Sequence, residues 1–504
     1  MLKLANHNPF IFKPKPIEVM TQNKNFALPG NPRYQPKSLV DYFGYDNLYT
    51  FVGQVEFVAL KHIITALIDL DLADKSLLKK INIKAFSSLT TTEVDEYERK
   101  VTKHDIRAFV QLLRPKLDPE VSRYLHILLT SYDVIDTAAA LRFKESYEHV
   151  IRPAVETLLL ELCAMMRENA SVLQIGRTHG QHAVPITVGF WLSTIANRIM
   201  NNLMDLDNAS RRLVGKIAGP VGAYNAYVAL GLDKKYPPRI FESMILADLG
   251  LIAPPVSTQI VPPEPLANFL FAAVKLSASL AQFANDCRHL MRTEIAEIRE
   301  EYVQGQVGSS TMAHKRNPIV FETIVGAWLK NKAEFSKVMD TMISEHQRDL
   351  TGSSLMRDFP TIIINLQTQL DNLLRKNADG ETFLSRVKID REALNTNFEQ
   401  SADVIMAEPI YIALQLFGYE GDAHKFVNEV LLPQAKDRQT DLADMLMLIS
   451  YDDPKLKKVV EAMPSEAYES LFHPEKYTGK SEETALRIAT DIEEQINTQE
   501  YRAQ

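Results

Sequence analysis

Between Leu266 and Gln304 the chain contains neither glycine nor proline, and Phe269, Ala273, Leu276, Leu280, Phe283, Cys287 and Leu290 recur every three or four residues. That spacing lines one face of an α-helix with apolar side chains. If helical throughout, the stretch would run for roughly 58 Å. A helix so long cannot cover its own apolar stripe and normally belongs to a bundle. The expectation is therefore an all-α fold built around long helices. With 504 residues, 46% of them hydrophobic, the chain can bury a large core, and its length suggests about three domains.

The remaining sequence fits that frame. Residues 1–32 are rich in Pro, Asn and Lys, show no period, and read as an arm or lead-in. Helical patterns run from Tyr42 to about Asp71, from Glu93 to Leu113, from Phe190 to Arg212, and from Ile319 to about His346 with Gly326 as an interruption. In AVETLLLELCAMM, Val155, Leu158, Leu159, Leu162 and Met166 occupy one helix face. Strand patterns are weak, with at most short hairpins near Lys216 to Tyr224. From about Leu384, shorter helices are separated by Gly418, Gly421, Pro433, Pro454, Pro464 and Pro474. The expected domains are an N-terminal helical one over 33–129, a central long-helix bundle over 130–380 and a C-terminal helical one over 381–504.

Charge and motif content narrow the function. Lys and Arg number 56 against 64 Asp and Glu, a net charge of −8. Such a balance gives no whole-chain attraction to nucleic acid or anionic lipid. No uninterrupted apolar run reaches the ~18 residues of a membrane span. Cys163 and Cys287 cannot build a disulfide framework, so a reducing, cytoplasmic setting is expected. The patterns GxxxxGK[ST], GxGxxG, HExxH and CxxC are absent. The expectation is chemistry by side chains alone, with no cofactor and no metal.

Four polar segments interrupt the helices: TSYDVIDTAAALR (130–142), GRTHGQHAVPITVG (176–189), GQVGSSTMAHKRNP (305–318) and EHQRDLTGSSLMR (345–357). Loops on a rigid scaffold are the usual home of catalytic groups. In the third, glycines and serines can present successive backbone N–H groups to an oxyanion, with Lys315 and Asn317 beside them; the plainer alternative is a flexible surface turn. In the second, His179 is a proton-transfer candidate because imidazole titrates near neutrality, or else a solvated histidine. In the fourth, Arg348 and Arg357 with Ser353 suit a phosphate, or else pair with Asp349 and Asp358. The first could be a helix start with Asp133, Asp136 or Thr137 near its cap.

Taken together, these segments resemble the fumarase/aspartase superfamily, whose members eliminate fumarate or close relatives of it. GSSTMAHKRNP is similar to that superfamily's signature loop, GSSxMPxKxNP. GRTHGQ, KHDIRAF (103–109), GKIAGPVGAY (215–224), STQ (257–259), QRDLTGSS and FHPEKYTG (472–479) resemble the branch acting on succinylated purine nucleotides, and the likeness runs from about Arg33 to the C-terminus. Departures from that pattern are Ala313 for a proline, Leu128 for a glycine, Pro262-Pro263-Glu264 for Arg-Asp-Arg, Gln347 and Gly352 for Glu and His, and Lys103 for Arg.

The resemblance implies a fumarase/aspartase-like fold of three helical domains, a homotetramer whose long helices form one larger bundle, and active sites shared between chains. It implies β-elimination of fumarate from adenylosuccinate, and from the succinyl-carboxamide ribotide of purine synthesis. On its pattern Ser309 would be the general base, His179 the general acid and Glu322 its acidic partner. Arg33, Tyr34, His104, Asp105, Arg348, Ser353 and Arg357 would bind the nucleotide and its phosphate. Thr130, Ser131, Thr178 and Gln259 would meet the succinyl group or nearby atoms, with Ser310, Lys315 and Asn317 in the loop cradle. The partner is thus a small nucleotide, with no nucleic acid and no membrane. A sister activity, such as that of argininosuccinate lyase, fumarase or aspartase, and an inactive structural relative remain the alternatives.

Overall fold

The computed structural model describes residues 35–301 and 315–503. The expected arm over 1–32, and Arg33, Tyr34, Ser309, Ser310 and Ala313, lie outside the described residues. The principal helices are α1 (Leu48–Asp69), α2 (Asp105–Leu113), α3 (Ser131–Ser146), α4 (Arg152–Glu168), α5 (Val188–Arg211), α6 (Glu264–Leu290), α7 (Ile319–Asp340) and α8 (Pro360–Leu374). Two short antiparallel pairs accompany them: β1 (Leu173–Thr178) with β2 (Gln181–Thr187), and β3 (Ile298–Arg299) with β4 (Lys388–Ile389). The fold is all-α, as expected.

The apolar periodicities become buried faces. Val155, Leu158, Leu159, Leu162 and Met166 of α4 are buried, as are Phe269, Ala273, Leu276, Leu280, Phe283 and Cys287 of α6. Each large aliphatic or aromatic side chain so buried is worth about 1.5–3 kcal/mol. The stretches Lys37–Asp69 and Glu264–Leu290 are long and apolar enough to cross a membrane, but their most apolar windows are 61% and 67% buried within the protein. Their hydrophobicity thus has a local use, in the core.

Several elements end differently from the sequence expectation. Helix α6 stops at Leu290, about 40 Å long, because the chain turns back: Glu297 N–H bonds to the Leu290 carbonyl at 3.0 Å and Ala296 takes φ +55°. The reason is tertiary. The Glu297 side chain is fully buried and accepts from Gln174 at 2.9 Å, Arg177 at 2.7 Å and Asn397 at 2.9 Å. Helix α7 passes through Gly326 uninterrupted and ends at Asp340 rather than His346. Its first turn is capped by Glu300, which accepts from the Val320 and Phe321 amides at 3.0 and 3.2 Å. The expected helix over 93–113 is broken at Lys103, whose φ is +54°, so that His104 can cap α2. The hairpin expected near Lys216–Tyr224 is instead a loop, ahead of which Val214 makes a parallel bridge to Ile252, and the hairpin lies at 173–187.

By contact density the described chain forms two compact units. The first comprises the stretch ending at Ala154, Asn202–Ser277 and Gly326–Asp371; the second comprises Val155–Asn201, Ala278–Val325 and the stretch from Asn372 onward. In the first, Phe43, Phe143, Phe269 and Tyr147 pack in a chain of tilted and edge-on ring contacts with centroid separations of 5.3 to 6.1 Å. There a buried polar node also joins α6, α7 and α8: Ser277 donates to Gln369 at 2.7 Å and accepts from Asn331 at 3.1 Å. In the second, the helices from Arg391 onward enclose their own core, which includes Phe398, Ile410, Leu414, Met445, Leu446 and, from β1, Ile175.

Candidate active site

In the first unit, the N-terminal turns of α3 gather residues from four distant strips. Thr130 caps the helix: its N–H donates to the Asp133 carboxylate at 2.7 Å. TSYDVIDTAAALR is therefore a helix start, the plainer of its two readings. Ser131 Oγ lies 3.4 Å from His104 Nε2, while His104 Nδ1 sits 3.1 Å from the Asp105 carboxylate. Asp133 is fully buried and accepts from Lys216 Nζ at 2.6 Å and from the Ala218 and Gly219 amides at 2.9 and 3.2 Å. A buried ion pair is sustained only when its remaining valences are bonded, and here Lys216 also donates to the Gly219 carbonyl at 2.8 Å. The glycine-rich strip is thereby fixed beside Thr130. Gly222 is required in it, because a Cβ there, at φ +74°, would meet the Ser257 carbonyl oxygen at 2.1 Å.

Arg348, Ser353 and Gln259 form one cluster. Arg348 donates to Gln259 Oε1 at 2.8 Å and to Ser353 Oγ at 3.3 Å, and its guanidinium lies 3.4 Å from the centroid of the Tyr132 ring. The Tyr132 hydroxyl meets Ser353 Oγ at 2.7 Å. The alternative ion pairs within this segment do not form: Asp349 accepts from the Glu345 and Thr351 amides at 2.8 and 2.6 Å, and Asp358 takes Lys337 at 2.8 Å. Arg357 is exposed. Below the cluster, Asp136 accepts from the Val261 amide at 3.0 Å and so holds the strip that carries Gln259 and the Pro262-Pro263-Glu264 departure. Burial pushes the Asp136 carboxyl up to about 7, with the Val261 hydrogen bond, Lys216 and Arg348 opposing the rise. Just before Thr130, His126 meets the fully buried Glu56 at 2.5 Å. Burial opposes its charge, but Glu56 more than offsets that and the imidazole pKa is raised.

The second unit carries the proton-transfer candidates. His179 and Gly180 are the two central residues of the β1–β2 hairpin, with φ of +53° and +76°. Positive φ at both positions is the requirement of a type I′ turn, and histidine tolerates it better than most residues. Thr178 and His179 are exposed at this tip. The hairpin is anchored toward its far end by Gln174 on Glu297, and beside the turn by Arg177 on the same carboxylate and by His182, whose Nδ1 lies 2.8 Å from Ser401 Oγ. Lys315 is exposed and Asn317 half-buried, immediately ahead of α7. Glu322, in the first turn of α7, lies 3.8 Å from Arg288, and within one chain it makes no ion pair with His179.

Sequence reasoning singled out Arg348, Gln259 and Ser353 but missed Tyr132 and the Asp133–Lys216 pair that hold them and their neighbours. One signal was present: Lys216 is the only charged residue in the strip GKIAGPVGAY, where a lone cation invites a buried partner. Among the described residues no cluster of His, Cys, Asp and Glu could hold a metal ion.

Residues 55–330 match the family model described as Lyase. The chain is 32% identical to the adenylosuccinate lyase of Aquifex aeolicus, over 76% of this chain and 82% of that protein. It is 30% identical to the adenylosuccinate lyase of Methanocaldococcus jannaschii, over 86% and 89%. Among solved structures it resembles a fumarate lyase from Mesorhizobium sp. BNC1, with TM-score 0.74, 20% identity and coverage of 92% of this chain and 100% of that one. It also resembles the 3-carboxy-cis,cis-muconate lactonizing enzyme of Pseudomonas putida, with TM-score 0.72, 21% identity and coverage of 92% and 98%. These two likenesses carry the fold; the sequence relatives and the family model carry the kinship. The chain belongs to the adenylosuccinate lyase family of the fumarase/aspartase superfamily.

Proposed function

We propose that this lyase eliminates fumarate from adenylosuccinate, giving AMP, and from the related succinyl-carboxamide ribotide. The observation that carries the substrate reading is the Arg348 cluster. A guanidinium stacked on Tyr132 and bonded to Gln259 and Ser353, with the exposed Arg357 a few residues on, matches the planar, bidentate recognition of a phosphate. Malate and aspartate carry no group that needs it. Arg33, Tyr34, His104 and Asp105 complete the nucleotide side of this reading, with Thr130, Ser131, Thr178 and Gln259 at the succinyl group.

In the elimination, Ser309, acting as its alkoxide, takes a proton from the succinyl CH2 carbon, which is β to the departing nitrogen and next to the second carboxylate. The electron pair left behind spreads onto that carboxylate, where Lys315, Asn317 and the loop amides around Ser310 stabilise the charge. Collapse forms the C=C bond of fumarate and breaks the C–N bond, and His179 protonates the departing nitrogen. Glu322 supports His179 as its acidic partner.

Each site is completed by neighbouring chains in a homotetramer. Two observations support this. His179 projects on an exposed hairpin tip without Glu322 as a partner in its own chain. In addition, the long helices α6 and α7 leave large apolar side chains exposed, with Phe271 at 48%, Leu329 at 49% and Met339 at 55%, which a neighbouring chain would cover. The deciding experiment measures fumarate release from adenylosuccinate, argininosuccinate, malate and aspartate. Release from adenylosuccinate alone is expected; release from one of the others in its place would overturn the substrate reading.

A further inference from the structure

We propose that Tyr132 is a positioning residue for phosphate recognition, whose ring fixes the plane of the Arg348 guanidinium and whose hydroxyl orients Ser353. The proposal deepens the reading of Arg348 as a phosphate ligand and rests on it. Tyr132 lies in the first turn of α3, between Ser131 and Asp133. Both neighbours are tied down, Ser131 to His104 and Asp133 to Lys216 and the glycine-rich strip. The ring is thus held by the helix cap itself, not by a mobile loop.

Arg348 rests on that ring at 3.4 Å from its centroid. The guanidinium N–H bonds lie in its own plane, and the stack fixes the orientation of that plane, from which arginine engages phosphate oxygens side by side. The stack adds cation–π attraction and restrains a side chain that otherwise samples many rotamers. The hydroxyl acts on the second ligand. Arg348 already donates to Ser353 Oγ at 3.3 Å. The Tyr132 hydroxyl lies 2.7 Å from the same oxygen; in the proposed arrangement Tyr132 is the donor, so that both lone pairs of Ser353 are occupied and its own proton is left to be given to a phosphate oxygen. Among the described residues Arg348 Nε is buried without an acceptor, and the side chain is held by the ring, Gln259 and Ser353 together. Removing the ring would free Arg348 to seek other partners.

The two parts of the side chain can be separated. Tyr132→Phe keeps the stack and loses the hydroxyl; Tyr132→Ala loses both. For adenylosuccinate, the expected KM rises a few-fold in Tyr132→Phe and about tenfold or more in Tyr132→Ala, with kcat changed by less than about threefold. For the phosphate-free substrate, succinyladenosine, kcat/KM is expected to be the same in all three proteins. A loss of equal size for both substrates, or a Tyr132→Ala enzyme with native KM, would overturn the proposal. Thermal stabilisation by inorganic phosphate gives a readout independent of turnover. It is expected in the native protein, reduced in Tyr132→Phe and absent in Tyr132→Ala, and equal stabilisation of all three would refute the role. If the native enzyme released no fumarate from adenylosuccinate, the substrate reading would fall, while the phosphate measurement would still decide for or against Tyr132.

Discussion

Asp136 is only 3% exposed, with one carboxylate oxygen on the Val261 amide and the other without a partner among the described residues. In the unfolded chain its carboxyl ionises near the ordinary 3.8; in the folded protein burial holds the proton until about pH 7. The folded state therefore binds a proton that the unfolded state has released across that interval. Stability contributed by the neutral form is complete below about pH 4 and is lost as pH rises toward 7. Asp136→Asn cannot ionise and still offers an oxygen to Val261. Urea unfolding should show the variant gaining stability relative to the native protein between pH 4 and pH 7; a difference constant over that range would contradict the burial account. Lys216 makes the opposite case, a charge already paired. Lys216→Ala leaves the Asp133 carboxylate buried without its cation, and an unfolding free energy lower by about 3–5 kcal/mol is expected. A loss below about 1 kcal/mol would mean that the backbone amides suffice. Neither residue could be assigned a partner from sequence, since Asp133 and Lys216 lie 83 positions apart.

At the scale of elements, the faces of helices were legible and their ends were not. The apolar repeats of α4 and α6 depend on neighbours three and four residues away, so the sequence carries them openly. The stop at Leu290 depends on Glu297 meeting Arg177 and Asn397, which are 120 and 100 residues distant. The β1–β2 hairpin was hidden for a different reason. Its turn is His-Gly rather than Asn-Gly, and its register shifts between Ile175 and Arg177, which blurs the alternation of a strand. That turn also provides a test. Asparagine accepts positive φ as readily as histidine does, so His179→Asn should preserve the hairpin, with thermal stability changed by less than about 1 kcal/mol. Fumarate release should nevertheless fall by orders of magnitude, since a general acid contributes typically 10²–10⁴-fold. Near-native turnover in a stable His179→Asn protein would remove His179 from the chemistry.

For the whole molecule, the candidate residues divide by unit. His104, Asp105, Thr130, Ser131, Gln259, Arg348, Ser353 and Arg357 belong to the first unit, and Thr178, His179, Lys315, Asn317 and Glu322 to the second. The family kinship was readable from short motifs, because each is local; the composition of the units was not, because each is assembled from three separate stretches of chain. Light scattering should report four chains, and their dissociation should abolish turnover if neighbouring chains complete each site. The most direct test of that account is complementation between two inactive proteins, His179→Asn and Ser309→Ala, mixed until their subunits exchange. If each site draws its acid and its base from different chains, random assembly leaves about a quarter of the sites with both groups intact, and fumarate release should return to about that fraction of the native rate. Mixed tetramers, verified by mass spectrometry, that stayed as inactive as either parent would contradict it.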